Sequence, residues 1–111
     1  EPPSVLAGCA HCQGLRCPGW ESIPGGYDTR QLCPVGTLRR DLQEEPTLDE
    51  MLPPGTTVWS ADAPIAIDHA PYNRSSVWLC RHCRKPFLRY TEYGGYYSDE
   101  RIRAVAPGLV V

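Results

Sequence analysis

The sequence predicts a small α+β domain that is mostly β. Runs rich in β-branched and aromatic residues fill its second half, whereas residues 1–36 show no hydrophobic period of 3.6 or 2. The 111 residues are enough for one domain. With 12 Pro and 10 Gly among them, the hydrophobic core must be small. Such chains usually need disulfides, a structural metal or a partner chain for stability.

The single predicted domain, residues 1–111, divides into three parts. Residues 1–36 form an irregular segment rich in Cys, Gly and Pro. Residues 37–55 are acidic. They are also predicted to be weakly helical, because Thr47–Glu50 has the S/T-x-x-E form of a capping box. Pro53 ends this one short helix after about two turns. Residues 56–111 are β-rich.

The clearest pattern within residues 56–111 is a β-meander. A strand runs into a two-cysteine turn, a second strand runs out of it, and a Gly-Gly turn leads to further strand-like sequence. The predicted strands are Thr56–Ser60, Ile65–Ile67, Val77–Leu79, Phe87–Tyr93, a run beginning with Tyr96 and Tyr97, and an alternating run over Ile102–Ala106.

Two C-x-x-C pairs, Cys9/Cys12 and Cys80/Cys83, are the strongest chemical signal. Each such turn places two thiolates at one corner of a tetrahedron, and two corners complete the four-coordinate shell that Zn²⁺ prefers. A disulfide within C-x-x-C closes a very small loop and removes little chain entropy. We therefore expect a structural zinc ion that clamps the irregular N-terminal segment to the meander.

The stretch Val77-Trp-Leu-Cys-Arg-His-Cys-Arg-Lys-Pro-Phe87 resembles a zinc-ribbon knuckle, and Cys9-Ala-His-Cys-Gln-Gly14 is a weaker match. The resemblance covers about ten residues and implies a structural zinc on a β-hairpin, with no particular function. The sequence departs from the pattern because the gap between the pairs exceeds the roughly 15–20 residues of compact zinc modules. In addition, Cys33-Pro-Val-Gly36 reads like a knuckle without its second cysteine.

Other interpretations of the six cysteines stay open. A secreted chain would form disulfides, and redox chemistry or an iron–sulfur cluster would use closely spaced thiols. Replacement of one proposed ligand by Cys17, Cys33, His11 or His82 is a further alternative. Thiol-bound zinc goes with a reducing cytoplasm, and no apolar run approaches the roughly 18 residues of a membrane helix. We therefore expect a soluble, cytoplasmic protein.

Charge is segregated although 11 basic and 13 acidic side chains leave a net charge of −2. Five basic residues and no acidic residue lie between Arg74 and Arg89, whereas residues 41–50 are acidic. Tyrosine and arginine are common anchors of protein interfaces. The predicted interaction residues are Arg81, Arg84, Lys85, Arg89, Tyr90, Tyr93, Tyr96 and Tyr97.

The sequence carries no phosphate loop, G-x-S-x-G or H-E-x-x-H motif. We expect a non-enzymatic zinc-binding module that contacts another protein, such as an inhibitor, an immunity protein or an adaptor that caps its partner. One alternative is a nucleic-acid-binding knuckle that uses the basic Arg74–Arg89 segment. The other is a small enzyme with zinc on three cysteines and one open position. Partner, pathway and oligomeric state are left open.

Overall fold

The computed structural model describes residues 9–12, 14–15, 17–40, 45–94 and 96–111. These residues form a five-stranded antiparallel sheet with the strand order β1-β5-β4-β3-β2. The helical residues among them are confined to 3₁₀ turns at Thr29–Gln31, Tyr72–Arg74 and Pro107–Leu109. The strands are β1 (Glu21–Ser22), β2 (Leu32–Thr37), β3 (Ser76–Cys80), β4 (Pro86–Tyr93) and β5 (Ser98–Ala104).

The centre of the sheet is the predicted meander, β3-β4-β5. Trp78 of β3 lies opposite Phe87 of β4, which lies opposite Ala104 of β5. Side chains on a strand alternate between the two faces, so these three residues share one face. The mostly-β fold class is confirmed, and the two-cysteine turn between β3 and β4 places Cys80 and Cys83 at the end of the best-formed hairpin.

The N-terminal segment is more ordered than its composition predicts. β1 pairs with β5, and β2 pairs with β3, so this segment supplies both edge strands of the sheet. Pro34 is tolerated within β2 because an edge strand needs hydrogen-bond donors on one side only. The register shifts between Pro34 and Gly36, which is the position of a β-bulge. The prediction of a wholly irregular segment over residues 1–36 is therefore wrong for β1 and β2.

The predicted short helix does not form in the described part of residues 37–55. Thr47 Oγ1 accepts a hydrogen bond from the Asp49 backbone N–H, as in a local turn, and residues 45–53 have no regular structure. Leu48, Met51 and Leu52 are all exposed. A two-turn helix that buries no apolar face is too short to be stable alone. Residues 41–44 lie outside the described residues.

Four of the predicted strands also differ from the structure. Thr57–Ser60 is a turn, because the Thr57 N–H donates to Ser60 Oγ and the Ser60 N–H donates to Thr57 O. In Ile65–Ile67 only Ile65 forms a β-bridge, parallel to Val110. Tyr96 and Tyr97 precede β5, which begins at Ser98 and ends at Ala104 rather than Ala106.

The sheet separates two hydrophobic clusters. The first cluster lies against the face with Phe87 and Ile102 and includes buried side chains of the N-terminal segment. The second lies against the opposite face, where Leu88 and Tyr90 meet residues of the 45–75 and 105–111 segments. The buried members are Cys12, Leu15, Cys17, Leu32, Cys80, Phe87 and Ile102 in the first cluster, and Trp20, Ile65, Tyr72, Leu88 and Tyr90 in the second.

One arginine is fully buried on the face of the second cluster. The Arg103 guanidinium donates to the Tyr72 hydroxyl and to the backbone oxygens of Ala61, at 3.2 Å, and Ala63, at 2.8 Å. These bonds tie the loop before β3 to the C-terminal end of β5. Among the described residues, no helix is long and apolar enough to cross a membrane.

Candidate metal centre

Four cysteine sulfurs meet at the end of the sheet. Cys9 and Cys12 come from the N-terminal segment, and Cys80 and Cys83 come from the β3–β4 turn. All four sulfurs lie within 4.8 Å of one another, and they form the one such cluster of metal-ligating side chains among the described residues. The structure therefore brings together the four residues that the spacing selects, and this cluster can hold a metal ion.

The separations of the sulfurs match a four-coordinate site. Cys9 Sγ lies 3.9 Å from Cys12 Sγ and 3.7 Å from Cys80 Sγ, and Cys12 Sγ lies 3.6 Å from Cys83 Sγ. A tetrahedral ion with metal–sulfur bonds of about 2.3 Å has sulfurs about 3.8 Å apart. All six cysteines of the chain are described, and each is a free thiol.

The first knuckle is held by its own backbone. The Cys9 N–H donates to Cys12 Sγ at 3.3 Å, and the Cys12 N–H donates to the Cys9 carbonyl at 3.2 Å. The Leu15 N–H then donates to the Cys12 carbonyl at 2.8 Å. Because Leu15 is fully buried in the first cluster, its packing fixes the turn against the sheet. Hydrophobic burial thus positions the first pair of thiols.

The second knuckle continues the β3–β4 hairpin. The Cys80 N–H donates to the Lys85 carbonyl, and the Arg84 N–H donates to the Cys80 carbonyl, both at 2.9 Å. Arg84 has a φ of 67°, a left-handed conformation that lets the chain turn back within a few residues. Leu32 lies opposite Cys80 in the register of β2 with β3, so an edge strand supports the knuckle from outside.

The thiols of the cluster differ in acidity. Burial opposes ionisation of Cys9, but hydrogen bonds from the backbone of Cys12 and His11 and from neighbouring thiols lower its pKa to about 6. Burial raises the pKa of Cys12, and burial together with the neighbouring thiols raises the pKa of Cys83 to about 12. The thiolate forms of Cys12 and Cys83 are thus disfavoured, because several negative charges cannot share a small site without a cation. A bound cation would allow all four to ionise.

Tyr27 covers the cluster and carries no signal in the sequence pattern. Its hydroxyl donates to the His11 carbonyl at 3.2 Å, and its ring packs against the first cluster. Burial, followed by the negative charge of nearby thiolates, raises the pKa of Tyr27 to about 12. Only the fold reveals this residue, because the Pro24–Tyr27 turn carries it back over the knuckle.

The four alternative ligands lie outside the sulfur cluster. Cys17 is buried in the first cluster, and burial raises the pKa of its thiol to about 12. Cys33 lies on β2, where its thiol faces the Pro34 carbonyl. His11 and His82, at the middle of the two knuckles, are exposed and stack on each other with ring centroids 3.5 Å apart. This stack joins the two knuckle tips on the side facing solvent.

The predicted basic surface is divided by the fold. Arg81 and Arg84 are exposed at the knuckle tip. Lys85, however, is 8% exposed, with its amine 5.3 Å from the centre of the Phe87 ring. Arg89 packs on the Trp78 ring, and its guanidinium lies 3.6 Å from a Glu100 carboxylate oxygen. The charged groups of Lys85 and Arg89 are thus largely inaccessible to a partner at the surface.

The four tyrosines predicted as interaction residues lie in two different environments. Tyr90 is buried in the second cluster, where it accepts a hydrogen bond from Arg101. Tyr93, Tyr96 and Tyr97 are exposed around the tip of the β4–β5 hairpin. The Tyr97 ring lies over Gly94, where an added Cβ would meet it at 2.2 Å. Gly94 therefore leaves room for the exposed ring.

Comparison of the chain with known protein families, with curated proteins and with solved structures finds no match.

Proposed function

We propose that Cys9, Cys12, Cys80 and Cys83 hold one structural zinc ion. The observation that carries the proposal is that two C-x-x-C turns from distant parts of the chain bring four sulfurs within 4.8 Å of one another, with three of the separations at 3.6 to 3.9 Å. Zinc is the ion most often held in closed Cys₄ sites, and tetrahedral sulfur shells otherwise hold iron. Backbone N–H groups face the sulfurs, those of His11 and Cys12 at Cys9 and that of Lys85 at Cys83, and they offset part of the negative charge of such a shell.

A shell of four thiolates has no open position for water or substrate. The proposed ion is therefore a structural crosslink, and the chain acts by binding rather than by catalysis. The crosslink joins the N-terminal segment, which provides both edge strands, to the β3–β4 turn. Apart from the crosslink, this segment is held by the pairing of β1 and β2 with the sheet and by a few buried side chains. These side chains are Leu15, Cys17, Trp20 and Leu32.

The test of the metal proposal is the metal content and thiol count of the purified protein. We expect about one zinc per chain and, before a chelator is added, one thiol that reacts with a thiol reagent, that of Cys33. Cys17 is buried and its pKa is raised to about 12, so it should react only after unfolding. Adding the chelator should release the four thiols of the proposed shell. Protein without metal and without reactive thiols would contradict the proposal, and a coloured, iron-containing protein would contradict the choice of zinc.

We further propose that the chain is a protein-interaction module, of the kind that caps a partner as an inhibitor, an immunity protein or an adaptor. Support comes from the exposed fractions of Tyr93 (78%), Tyr96 (105%) and Tyr97 (61%) at one hairpin tip. Large aromatic side chains with two rotatable bonds lose little entropy on binding, so they are favoured as interface anchors.

A photo-crosslinking amino acid at Tyr96 tests this proposal, with the same group at exposed Glu21 on β1 as the matched control. We expect a defined crosslinked protein from position 96, none from position 21, and loss of the product when Tyr97 is changed to Ser. Equal products from both positions would contradict a binding surface at the hairpin tip. A crosslink to nucleic acid in place of protein would favour the nucleic-acid alternative.

A further inference from the structure

A groove of about 420 Å³ runs beside the tyrosine hairpin, on the side of the sheet away from the metal centre. Its lining includes the side chains of Leu48, Val58, Pro71, Arg74 and Tyr93. A second depression of about 360 Å³ shares Arg74 and Tyr93 and extends the groove. It continues towards Arg39, Glu45 and Pro46.

Arg74 lines both parts of the groove and has no carboxylate partner among the described residues. One of its terminal nitrogens, Nη2, is buried without a hydrogen-bond acceptor. A buried donor left unpaired is costly, and it costs more when it belongs to a charged group. Nη2 itself is out of reach of a ligand, but Arg74 as a whole is half-buried and lines the groove. A ligand carboxylate can approach its guanidinium there, and a planar guanidinium pairs with a carboxylate through charge-assisted hydrogen bonds.

The second arginine of the groove is already engaged. Arg101 donates to an Asp99 carboxylate oxygen at 3.1 Å and to the Tyr90 hydroxyl at 3.1 Å, and it lies 3.8 Å from a Glu92 oxygen. It also lies 4.5 Å from the centre of the Trp59 ring. Its charge is thus neutralised within the protein, and the free positive charge of the groove is that of Arg74.

The rim of the groove combines exposed apolar and acidic side chains. Leu48 is 75% exposed and Tyr93 is 78% exposed, so neither has an apolar partner that covers it. Glu45 and Glu50 are exposed at the same rim. A strongly acidic ligand would be repelled by these carboxylates, whereas a segment with one acidic and one basic side chain would suit the rim.

We propose that this groove binds an extended segment of a partner protein with mixed charge. An Asp or Glu of that segment pairs with Arg74, an apolar side chain lies between Leu48 and Tyr93, and a Lys or Arg faces Glu45 and Glu50. The proposal rests on the protein-binding function proposed above and names the chemistry of the bound partner. The hairpin tyrosines then extend the same contact surface beyond the groove.

Short synthetic peptides test the proposal on the full, zinc-loaded chain. One set contains a central Asp or Glu flanked by an apolar and a basic residue, and a matched set has Asn or Gln in place of the acid. We expect binding by the acidic set, weakened about tenfold or more in the amide set and in the Arg74→Gln variant. Arg30→Gln, the same change at an exposed site outside the groove, should bind as the unchanged protein does.

A second measurement keeps the proposal testable if Arg74→Gln unfolds the protein. In amide and side-chain NMR spectra of the unchanged chain, the acidic peptides should shift the signals of Leu48, Arg74 and Tyr93. Failure of every peptide to bind, equal binding by acidic and amide sets, or shifts confined to the knuckle tip would overturn the groove proposal. If the partner crosslinked at position 96 still binds Arg74→Gln unchanged, the groove proposal fails while the protein-binding function stands.

Discussion

Two residues near the candidate metal centre have an unusual backbone conformation. Among the described non-glycine residues, Cys17 and Arg84 have positive φ, 40° and 67°. At Arg84 this conformation brings its N–H to the Cys80 carbonyl and closes the second knuckle. A left-handed conformation costs an L-residue about 1 kcal/mol. The knuckle therefore requires a particular backbone shape at position 84 more than it requires an arginine side chain.

Replacing Arg84 should separate these two requirements. Arg84→Gly should raise the free energy of unfolding of the metal-loaded protein by about 1 kcal/mol, because glycine adopts positive φ without a steric penalty. Arg84→Val should lower it by about the same amount, since a β-branched side chain tolerates this conformation least. Urea unfolding of the two variants measures the difference. A glycine variant less stable than the valine variant would contradict the account of the turn.

The Cys17 thiol makes stability depend on pH. Burial, with a smaller effect of Glu21, raises its pKa to about 12 in the folded chain, against about 8.5 when unfolded. Because the unfolded chain loses this proton first, the free energy of unfolding falls as pH rises from about 8.5 towards 12. The contribution of this thiol to the loss is about 2 kcal/mol between pH 8 and pH 10.

Cys17→Ala tests that contribution by urea unfolding at pH 8 and pH 10 with excess zinc. The variant lacks the titrating thiol, so its deficit in the free energy of unfolding should shrink as pH rises. The loss of side-chain packing lowers the free energy of unfolding by the same amount at both pH values, so it does not affect the change of the deficit with pH. A deficit that does not change with pH would show that the thiol titrates similarly in both states.

At the scale of elements, the sequence predicts the centre of the sheet and not its edges. β3, β4 and β5 follow from alternating apolar residues and two turn signals, which are local properties. β2 contains Pro34 and Gly36, which normally exclude a strand, and it forms because an edge position and a bulge tolerate both. The Thr47–Glu50 helix signal is equally local, but it fails because no apolar face is buried there.

The metal centre could be predicted because C-x-x-C spacing already fixes half of a tetrahedral shell. The surfaces could not be predicted in the same way. Lys85 and Arg89 look like accessible charges in the sequence. In the structure the Phe87 ring, two residues further along the chain, covers Lys85, and the Trp78 ring of the neighbouring strand covers Arg89. The groove at Arg74 is formed by segments that lie far apart in the chain, so no local spacing of residues in the sequence predicts it.

One glycine shows how closely the N-terminal segment fits the loop before β3. A Cβ added at Gly19 would lie 2.2 Å from the Trp59 carbonyl oxygen, which is shorter than any real contact. Gly19→Ala should lower the free energy of unfolding by about 1 to 3 kcal/mol, because one backbone must move. Gly25→Ala, with open space around the new methyl group, is the matched control and should change stability little. Equal effects at both positions would contradict the packing described.

At the scale of the molecule, the N-terminal segment covers the first face of the sheet and contributes Trp20 to the second face, which the loop before β3 also covers. The described chain has a radius of gyration of 14.0 Å, close to the roughly 13 Å of a compact chain of this length. β1 and β2 lie at opposite edges, so the segment that contains them reaches across the whole sheet. The proposed ion fixes the start of this segment to the β3–β4 turn. Loss of that crosslink should therefore weaken the strand pairing at both edges of the sheet.

Chelation should therefore loosen the molecule unevenly. With a chelator present, we expect faster hydrogen exchange at the amides of Cys12 and Leu15, which form the first knuckle. The Ala104 amide, which donates to the Cys17 carbonyl, should also exchange faster. Amides between β4 and β5 should keep more of their protection. Uniform loss of protection would show that the metal stabilises the whole sheet, and no change would show that the metal has no structural role.

X-ray absorption at the zinc edge of the purified protein tests the central claim most directly. The proposed site predicts a single shell of four sulfurs at about 2.3 Å, reduced to an incomplete sulfur shell or lost when Cys9 is changed to Ser. The same spectrum from Cys33→Ser should be unchanged. A first shell that contains nitrogen or oxygen at about 2.0 to 2.1 Å in the unchanged protein would contradict the four-cysteine site.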